Sequence, residues 1–219
     1  MEQEEVIEYL LKVLVVGDLG VGKTSFIQRY VHNIFNREYK ATIGVDFAYK
    51  LLQISSDKIV RLQLWDIAGM ERFGNMTRVY YRDAVGAMIV FDATRPNTLD
   101  AVKKWKADID QKVRLKDENE SPIPVIMLAN KCDMEQSSID ATQLDELCRE
   151  LNIQRWFSTS AKDCINVEEC ATYLVQKILE TEASPGIENA DTDQKNKPST
   201  GQTIVLGAQA RREESGCPC

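Results

Sequence analysis

The stretch Gly17-Asp18-Leu19-Gly20-Val21-Gly22-Lys23-Thr24 decides the fold of this chain. Its spacing, G-x-x-x-x-G-K-[ST], is that of a phosphate-binding loop, which needs a strand before it and a helix after it. The apolar run from Leu11 to Val16, interrupted only by Lys12, predicts the strand. Phe26 and Tyr30 lie four positions apart after the loop, as on one face of a helix. These flanks favour a phosphate-binding loop over the alternative, a plain glycine-rich turn.

Each residue type in this loop suits a polyphosphate ligand. Glycine allows the backbone to approach the ligand closely, and N–H groups at the start of a helix attract anions. Lys23 would bring a positive charge to the β- and γ-phosphates, and Thr24 would offer its hydroxyl to Mg²⁺. The segment expected to contact the nucleotide comprises Leu19, Gly20, Val21, Gly22, Lys23, Thr24 and Ser25.

The composition of the chain limits its class. Its 219 residues, 43% hydrophobic and 28% charged, are typical of one globular domain with extensions. A net charge of −7 argues against binding nucleic acid, which needs a basic face, and against binding anionic lipid by charge alone. Residues 1–5 are too acidic for a signal peptide, and no apolar run reaches the ~18 residues of a membrane span. We therefore expect a cytosolic protein, in which Cys132, Cys148, Cys164 and Cys170 are reduced thiols.

The rest of the chain alternates between strand and helix patterns. Ile43–Ile54 and Ile59–Ile67 alternate apolar and polar residues around the turn at 55–58, which predicts an antiparallel hairpin. Other segments predict strands at 85–91, 125–129 and 156–157 and helices at 99–113, 144–151 and 167–178. This order predicts an α/β fold, a six-stranded and mostly parallel sheet with one antiparallel edge hairpin and helices on both faces.

Four polar motifs follow strands of this predicted sheet. They are the glycine-rich loop, Asp66-Ile67-Ala68-Gly69, Asn130-Lys131-Cys132-Asp133 and Ser160-Ala161-Lys162. Ligands bind outside the carboxyl ends of parallel strands, so we expect the four motifs to converge at one edge of the sheet. Within the second motif, Asp66 would hold Mg²⁺ through water and Gly69 would offer its N–H to a γ-phosphate.

The motif at 130–133 predicts the base that the site accepts. The Asp133 carboxylate suits guanine, which presents two donors, N1–H and the N2 amine, whereas adenine would leave the carboxylate unpaired. Lys131 would lay its stem along the base, and Asn130 would tie its loop to the phosphate-binding loop. Ala161 would present its N–H to the guanine O6. The alternative for these residues is a charged surface turn.

Together with Thr42 in Ala41-Thr42-Ile43-Gly44, these motifs resemble the five guanine-nucleotide motifs of the Ras superfamily. Within it the chain resembles the Rab family. The segments that carry this second resemblance are 43–47, 61–65, 72–77, 80–82 and 89–94. At Ile67 and in the run from Phe73 to Tyr81, the sequence is similar to that of the Rab branch that serves melanosomes and other lysosome-related organelles.

The resemblance also divides the chain into three parts. It covers residues 10–180, which it identifies as a GTP-binding G domain, and leaves residues 1–9 as an N-terminal extension. Residues 181–219 form the third part, where periodicity stops and polar residues, proline and glycine dominate apart from Ile204-Val205-Leu206. This composition predicts a disordered tail.

The resemblance implies a switch between GDP-bound and GTP-bound states. Residues 36–44 and 67–82 would be the two switches, ordered by the γ-phosphate and Mg²⁺ and released on hydrolysis. Thr42 would ligate Mg²⁺ only beside GTP, Phe35 would stack on the base, and Tyr39 would cover the phosphates. The implied catalytic residues are Lys23, Thr42 and Gly69, and the implied metal ligands are Thr24, Thr42 and Asp66. The implied effector-binding residues are Phe47, Trp65 and Tyr80, for which the alternative is ordinary core packing.

One position departs from the family pattern. Met70 stands where the family carries the Gln that orients the attacking water. A thioether cannot hold both the water and the phosphoryl group, so we expect slow intrinsic hydrolysis. A GTPase-activating protein that supplies both Arg and Gln would bypass Met70.

Two other functions stay open. A GTP-bound scaffold with negligible turnover is consistent with Met70. An ATP-dependent P-loop kinase is disfavoured by Asp133, and also because residues 110–125 lack an arginine-rich lid and contain only Arg114 among arginines.

The last three residues, Cys217-Pro218-Cys219, resemble the Cys-x-Cys terminus of Rab proteins. That terminus receives two geranylgeranyl chains, which anchor a protein stably where one chain is marginal. A tail that keeps its thiols is the alternative. The resemblance thus implies a monomer on the cytosolic face of endolysosomal or lysosome-related membranes, with a soluble cytosolic pool. Its implied partners are an exchange factor, an activating protein, effectors, a prenyl carrier and a GDP-dissociation inhibitor.

Overall fold

Strands and helices alternate along the part of the chain that the computed structural model describes, residues 7–70, 77–117, 119–135, 140–182 and 204–205. The strands are β1 (Ile7–Val16), β2 (Val45–Gln53), β3 (Lys58–Ile67), β4 (Gly86–Asp92), β5 (Val125–Asn130), β6 (Arg155–Thr159) and β7 (Ile204–Val205). The helices are α1 (Lys23–His32), α2 (Thr77–Tyr81), α3 (Pro96–Lys112), α4 (Ala141–Glu150) and α5 (Val167–Glu182).

Six strands form the body of the sheet in the order β2-β3-β1-β4-β5-β6. Only β2 in this series runs antiparallel to its neighbour, as the edge hairpin with β3. The predicted fold class, six strands with one antiparallel edge hairpin, is therefore confirmed. The central strands β1, β4 and β5 read as nearly continuous apolar runs because helices cover both of their faces.

The sheet starts earlier and collects one more strand than the sequence predicted. β1 begins at Ile7, within the predicted N-terminal extension, because the Ile7 N–H donates to the Asp57 carbonyl oxygen at 2.8 Å and continues the pairing with β3. Ile204 and Val205, which fall in the predicted tail, pair antiparallel with Glu8 and Ile7. The short apolar run at 204–206 is the one local signal there, and it does not indicate which strand it pairs with.

The two faces of the sheet carry separate apolar clusters. Helices α1 and α5 cover one face, where Phe26, Leu174 and Ile178 are fully buried. Helices α2, α3 and α4 cover the other face, where Tyr81 and Trp105 are fully buried. Among the described residues, none of the helices is both long enough and apolar enough to cross a lipid bilayer.

Leu174→Ala should destabilise the domain by about 2–5 kcal/mol, because the removed side chain is fully buried between α5 and the sheet. Chemical denaturation followed by circular dichroism measures this change. Leu51→Ala is the matched control, since Leu51 is 64% exposed on β2 and its loss should cost no more than about 0.5 kcal/mol. Equal losses for the two variants would contradict the packing of α5 against the sheet.

Candidate functional site

The glycine-rich loop between β1 and α1 curls around the side chain of Lys23. The Lys23 Nζ donates to the carbonyl oxygens of Gly17 at 2.8 Å and Asp18 at 3.1 Å. Burial lowers the pKa of this ammonium, and the carboxylates of Asp66 and Asp18 oppose that shift. The loop thus keeps a nearly buried positive charge at the edge of the sheet, where an anionic ligand would find it.

Gly22 allows this loop to pack against β5. Its φ of 98° lies in the left-handed region, and a Cβ there would lie 2.4 Å from the Nδ2 atom of Asn130. That amide nitrogen donates to the Val21 carbonyl oxygen at 2.8 Å. The Asn130 Oδ1 atom accepts from the Ala161 N–H at 3.3 Å. Asn130 therefore joins the glycine-rich loop to the loop that follows β6.

The three predicted metal ligands lie in mutual contact. The Thr24 Oγ1 atom donates to Asp66 Oδ2 at 2.5 Å, and the Thr42 Oγ1 atom donates to the same oxygen at 3.2 Å. The other carboxylate oxygen, Asp66 Oδ1, is buried and has no hydrogen-bond partner among the described residues, and burial raises the pKa of Asp66. Hydroxyl and carboxylate oxygens are donors that Mg²⁺ prefers. This oxygen set, with one carboxylate oxygen unsatisfied, fits such a cation.

The carboxylate of Asp133 is held in place at the other end of the site. The Ser160 Oγ atom donates to Asp133 Oδ1 at 2.7 Å, and the Lys162 Nζ atom lies 3.3 Å from Asp133 Oδ2. Burial alone would raise the pKa of Asp133, but the hydrogen bonds from Ser160 and Lys162 hold it below the ordinary value. The group is therefore an acceptor at neutral pH.

The predicted nucleotide residues surround one cleft of about 780 Å³. The predicted residues on its lining are Leu19, Gly20, Gly22, Lys23, Thr24, Ser25, Phe35, Tyr39, Thr42, Gly69, Asn130, Lys131, Asp133, Ala161 and Lys162. Val21, Asp66 and Ser160 lie behind this lining and bond to residues on it. Met70 follows Gly69 at the phosphate end and is 73% exposed. The four motifs thus meet at the carboxyl edge of the sheet.

Two residues expected to contact the base also bond to other parts of the cleft. The Ala161 N–H, expected to face the guanine O6, donates to Asn130 Oδ1. The Lys131 ammonium, whose stem is expected to lie along the base, donates to the Gly20 carbonyl oxygen at 2.8 Å.

Several residues that support the cleft have no recognisable signal in the sequence. Arg29 on α1 donates to the carbonyl oxygens of Ala161 at 2.8 Å and Lys162 at 2.9 Å. The buried Trp105 indole N–H donates to the Asp18 carboxylate at 2.8 Å. Periodicity indicated only a core role for Trp105, because its partner lies 87 positions away.

The residues expected to bind effectors form a patch next to the cleft. Phe47 and Trp65 are cross-strand neighbours with ring centroids 6.0 Å apart. Phe47 is 54% exposed, whereas Trp65 and Tyr80 pack partly against the core. The Lys12 ammonium lies 3.6 Å from the centroid of the Trp65 ring and donates to the Arg82 carbonyl oxygen at 2.7 Å. Lys12 therefore links Trp65 to the end of α2.

One cleft contains a glycine-rich loop, a site that fits a divalent cation and an Asp acceptor. Together these features define a P-loop nucleotide-binding protein. The Ras family profile matches residues 12–180. The chain is 58% identical over 213 residues to the human Ras-related protein Rab-32, an alignment that covers 97% of this chain and 90% of the relative. It is 51% identical over 216 residues to Rab-32A of Dictyostelium discoideum, covering 97% and 94%. It is 48% identical over 172 residues to the human Ras-related protein Rab-7L1, covering 78% and 84%.

The chain therefore belongs to the Ras family and, within it, to the Rab GTPases. This confirms the family resemblance seen in the sequence. Proteins of that family bind guanine nucleotides.

The Gly22→Ala variant should release bound GDP at least about 10-fold faster than the matched control Gly20→Ala. The reason is that the added Cβ would displace the Asn130 amide from its hydrogen bonds, which costs free energy. Both glycines have a positive φ, 98° and 72°, but the nearest atom to a Cβ on Gly20 lies at an ordinary 3.7 Å. Dissociation of a fluorescent GDP analogue measures both rates. If the two variants released GDP equally fast, backbone strain alone would explain the need for glycine.

The indole resonance of Trp65 should titrate near pH 8. Burial lowers the pKa of Lys12 to about 8, with Asp83 opposing the shift, so the ammonium over the ring is charged below that pH and neutral above it. NMR of the indole N–H, assigned with Trp65→Phe, follows the titration. Lys12→Met should abolish it, and a midpoint near the ordinary lysine value of 10.5 would contradict the burial of Lys12.

Proposed function

We propose that this Rab GTPase is a GTP-binding switch of vesicle traffic whose intrinsic hydrolysis is slow. The observation that carries the proposal is the exposed Met70 directly after Gly69, at the phosphate end of a cleft that has the other features of a guanine-nucleotide site. The Rab relatives support the general class, and Met70 sets the rate within it.

Different residues of the cleft would bind different parts of the nucleotide. Asp133, as a carboxylate held by Ser160 and Lys162, would accept from the N1–H and N2 amine of guanine. Lys23 would exchange its loop carbonyl partners for the β- and γ-phosphates, and Gly69 would donate its N–H to the γ-phosphate. Phe35 would flank the base.

Thr24, Thr42 and Asp66 would hold Mg²⁺, which, when bound, neutralises charge on the phosphates. The contact of Thr42 with Thr24, at 2.8 Å between the hydroxyl oxygens, ties the first switch to this site. A change of the phosphate end from GTP to GDP would therefore act on residues 36–44 through Thr42. Tyr39, on the lining of the cleft, would cover the phosphates.

Met70 would lower the rate because of its functional group. A Gln amide both donates and accepts hydrogen bonds, so it can orient a water toward the phosphoryl group, whereas a thioether is only a weak acceptor. An activating protein that brings its own Arg and Gln would restore the missing group in trans. The long-lived GTP state would present Phe47, Trp65 and Tyr80 to effectors.

The membrane attachment of this proposal rests on Cys217 and Cys219, which lie outside the described residues. Two geranylgeranyl chains there would hold the protein on the cytosolic face of endolysosomal or lysosome-related membranes. An exchange factor would load GTP at the membrane. A prenyl carrier and a GDP-dissociation inhibitor would handle the lipidated, monomeric protein in a soluble cytosolic pool.

A GTP-bound scaffold with negligible turnover is the second candidate function, and Met70 favours it as well. The two functions share the cleft and differ only in whether the bound GTP is hydrolysed within the lifetime of the complex.

Met70→Gln should hydrolyse bound GTP on the order of 10²-fold faster than the native chain, because the amide restores the group that positions water. Single-turnover hydrolysis in the presence of Mg²⁺ measures both rates. The matched control is Met134→Gln, which makes the same chemical change at the base end of the cleft and should leave the rate unchanged.

Equally fast hydrolysis by the native chain and Met70→Gln would refute the slow switch and assign water positioning to another group. Equally negligible hydrolysis would favour the scaffold.

A further inference from the structure

Two successive carbonyl groups of the glycine-rich loop are held by cationic side chains from other parts of the chain. The Arg95 Nη2 atom donates to the Leu19 carbonyl oxygen at 3.1 Å. The Lys131 Nζ atom donates to the Gly20 carbonyl oxygen at 2.8 Å. Arg95 lies just before α3 and Lys131 just after β5, so the two cations reach the loop from two different connections.

Both cations are fixed by one buried carboxylate. Asp92, the last residue of β4, accepts from Arg95 Nε at 2.9 Å and from Lys131 Nζ at 2.7 Å, both on its Oδ2 atom. Its other oxygen accepts from the Thr94 hydroxyl at 2.6 Å and the Thr94 N–H at 3.0 Å. Although burial raises the pKa of Asp92, these donors outweigh it and keep the carboxylate charged.

The backbone of Lys131 lies in the left-handed region, with a φ of 66°, which is unfavourable for a residue that has a Cβ. Arg95 is 42% exposed, so apolar packing does not fix its position. Both side chains are held mainly by their bonds to Asp92 and the loop.

Holding the two carbonyl groups also sets the direction of the two N–H groups that follow them. The C=O and N–H of one planar peptide unit point in opposite directions. With the Leu19 and Gly20 carbonyls bound to Arg95 and Lys131, the N–H groups of Gly20 and Val21 point away from these cations.

We propose that Asp92 and Arg95 are positioning residues for nucleotide binding, which together with Lys131 lock the glycine-rich loop with its N–H groups toward the phosphates. The name loop brace denotes Asp92, Arg95 and Lys131. This inference rests on the proposed function, since it concerns the same guanine nucleotide. The loop brace governs how long either GDP or GTP stays bound, because both nucleotides carry the β-phosphate that the loop surrounds.

Dissociation of a fluorescent GDP analogue from the full chain, with Mg²⁺ present, tests the brace. Arg95→Met should release the analogue about 10-fold faster, the loss expected for a hydrogen bond to a charged group. Asp92→Asn should release it faster still, because it weakens the hold on Arg95 and Lys131 together. The matched control is Arg114→Met, at an exposed arginine outside the cleft, which should leave the rate unchanged.

Two further readouts separate positioning from general stability. The ³¹P resonance of the β-phosphate of bound GDP should shift in Arg95→Met and stay in place in Arg114→Met. The double variant Asp92→Asn with Arg95→Met should release GDP no more than about twofold faster than Asp92→Asn alone, because the two residues act through one contact.

The proposed role of the loop brace is refuted if Arg95→Met keeps both a GDP release rate within twofold of the native rate and the native ³¹P shift. Full additivity of the two substitutions would also overturn it. Arg95→Met alone decides the question if Asp92→Asn does not fold, because Arg95 is half-exposed. A native chain that does not retain the GDP analogue would instead refute guanine-nucleotide binding itself.

Discussion

The buried amide of Asn130 is the contact on which the nucleotide cleft depends. It lies at the end of β5 and bonds on one side to Val21 in the glycine-rich loop and on the other to Ala161 after β6. An amide in such a position must satisfy both its donors and its acceptor, because an unpaired buried polar group is costly. The loops it joins are therefore fixed relative to one another, and Gly22 must lack a Cβ to allow the contact.

The electrostatics of the cleft explain why it favours a charged ligand. One end buries the Lys23 ammonium against loop carbonyls, and beside it one carboxylate oxygen of Asp66 has no partner in the part of the chain that the structure describes. Both groups lose solvation that their protein partners replace only in part, as their opposite pKa shifts indicate. A polyphosphate with a divalent cation would supply both missing partners at once. Binding should therefore stabilise the folded chain, because a ligand that binds only the folded state shifts the folding equilibrium toward it.

The sequence predicted the features whose signal is local. The hairpin around residues 55–58 and the four motifs, the glycine-rich loop among them, each occupy a few consecutive positions, so spacing was enough to place them. Trp105, Arg29 and Arg95 escaped prediction because their partners lie far away in the chain and their own surroundings read as ordinary helix or loop. The start of β1 at Ile7 was missed for a similar reason, since the neighbouring β3 defines it rather than an apolar run.

Under the proposed function, binding and turnover would depend on different residues in this cleft. Asn130, Asp92 and Arg95 act on the glycine-rich loop, whose contacts to the β-phosphate would be the same before and after hydrolysis. Uniform binding of this kind sets the lifetime of the complex without lowering the barrier to the chemical step. Met70, by contrast, follows Gly69 and is largely exposed, and under the proposed function it would bear on the step that needs an oriented water. A chain with a braced loop and a methionine at that position would therefore hold GTP for long periods. A partner protein would then determine when the GTP-bound state ends.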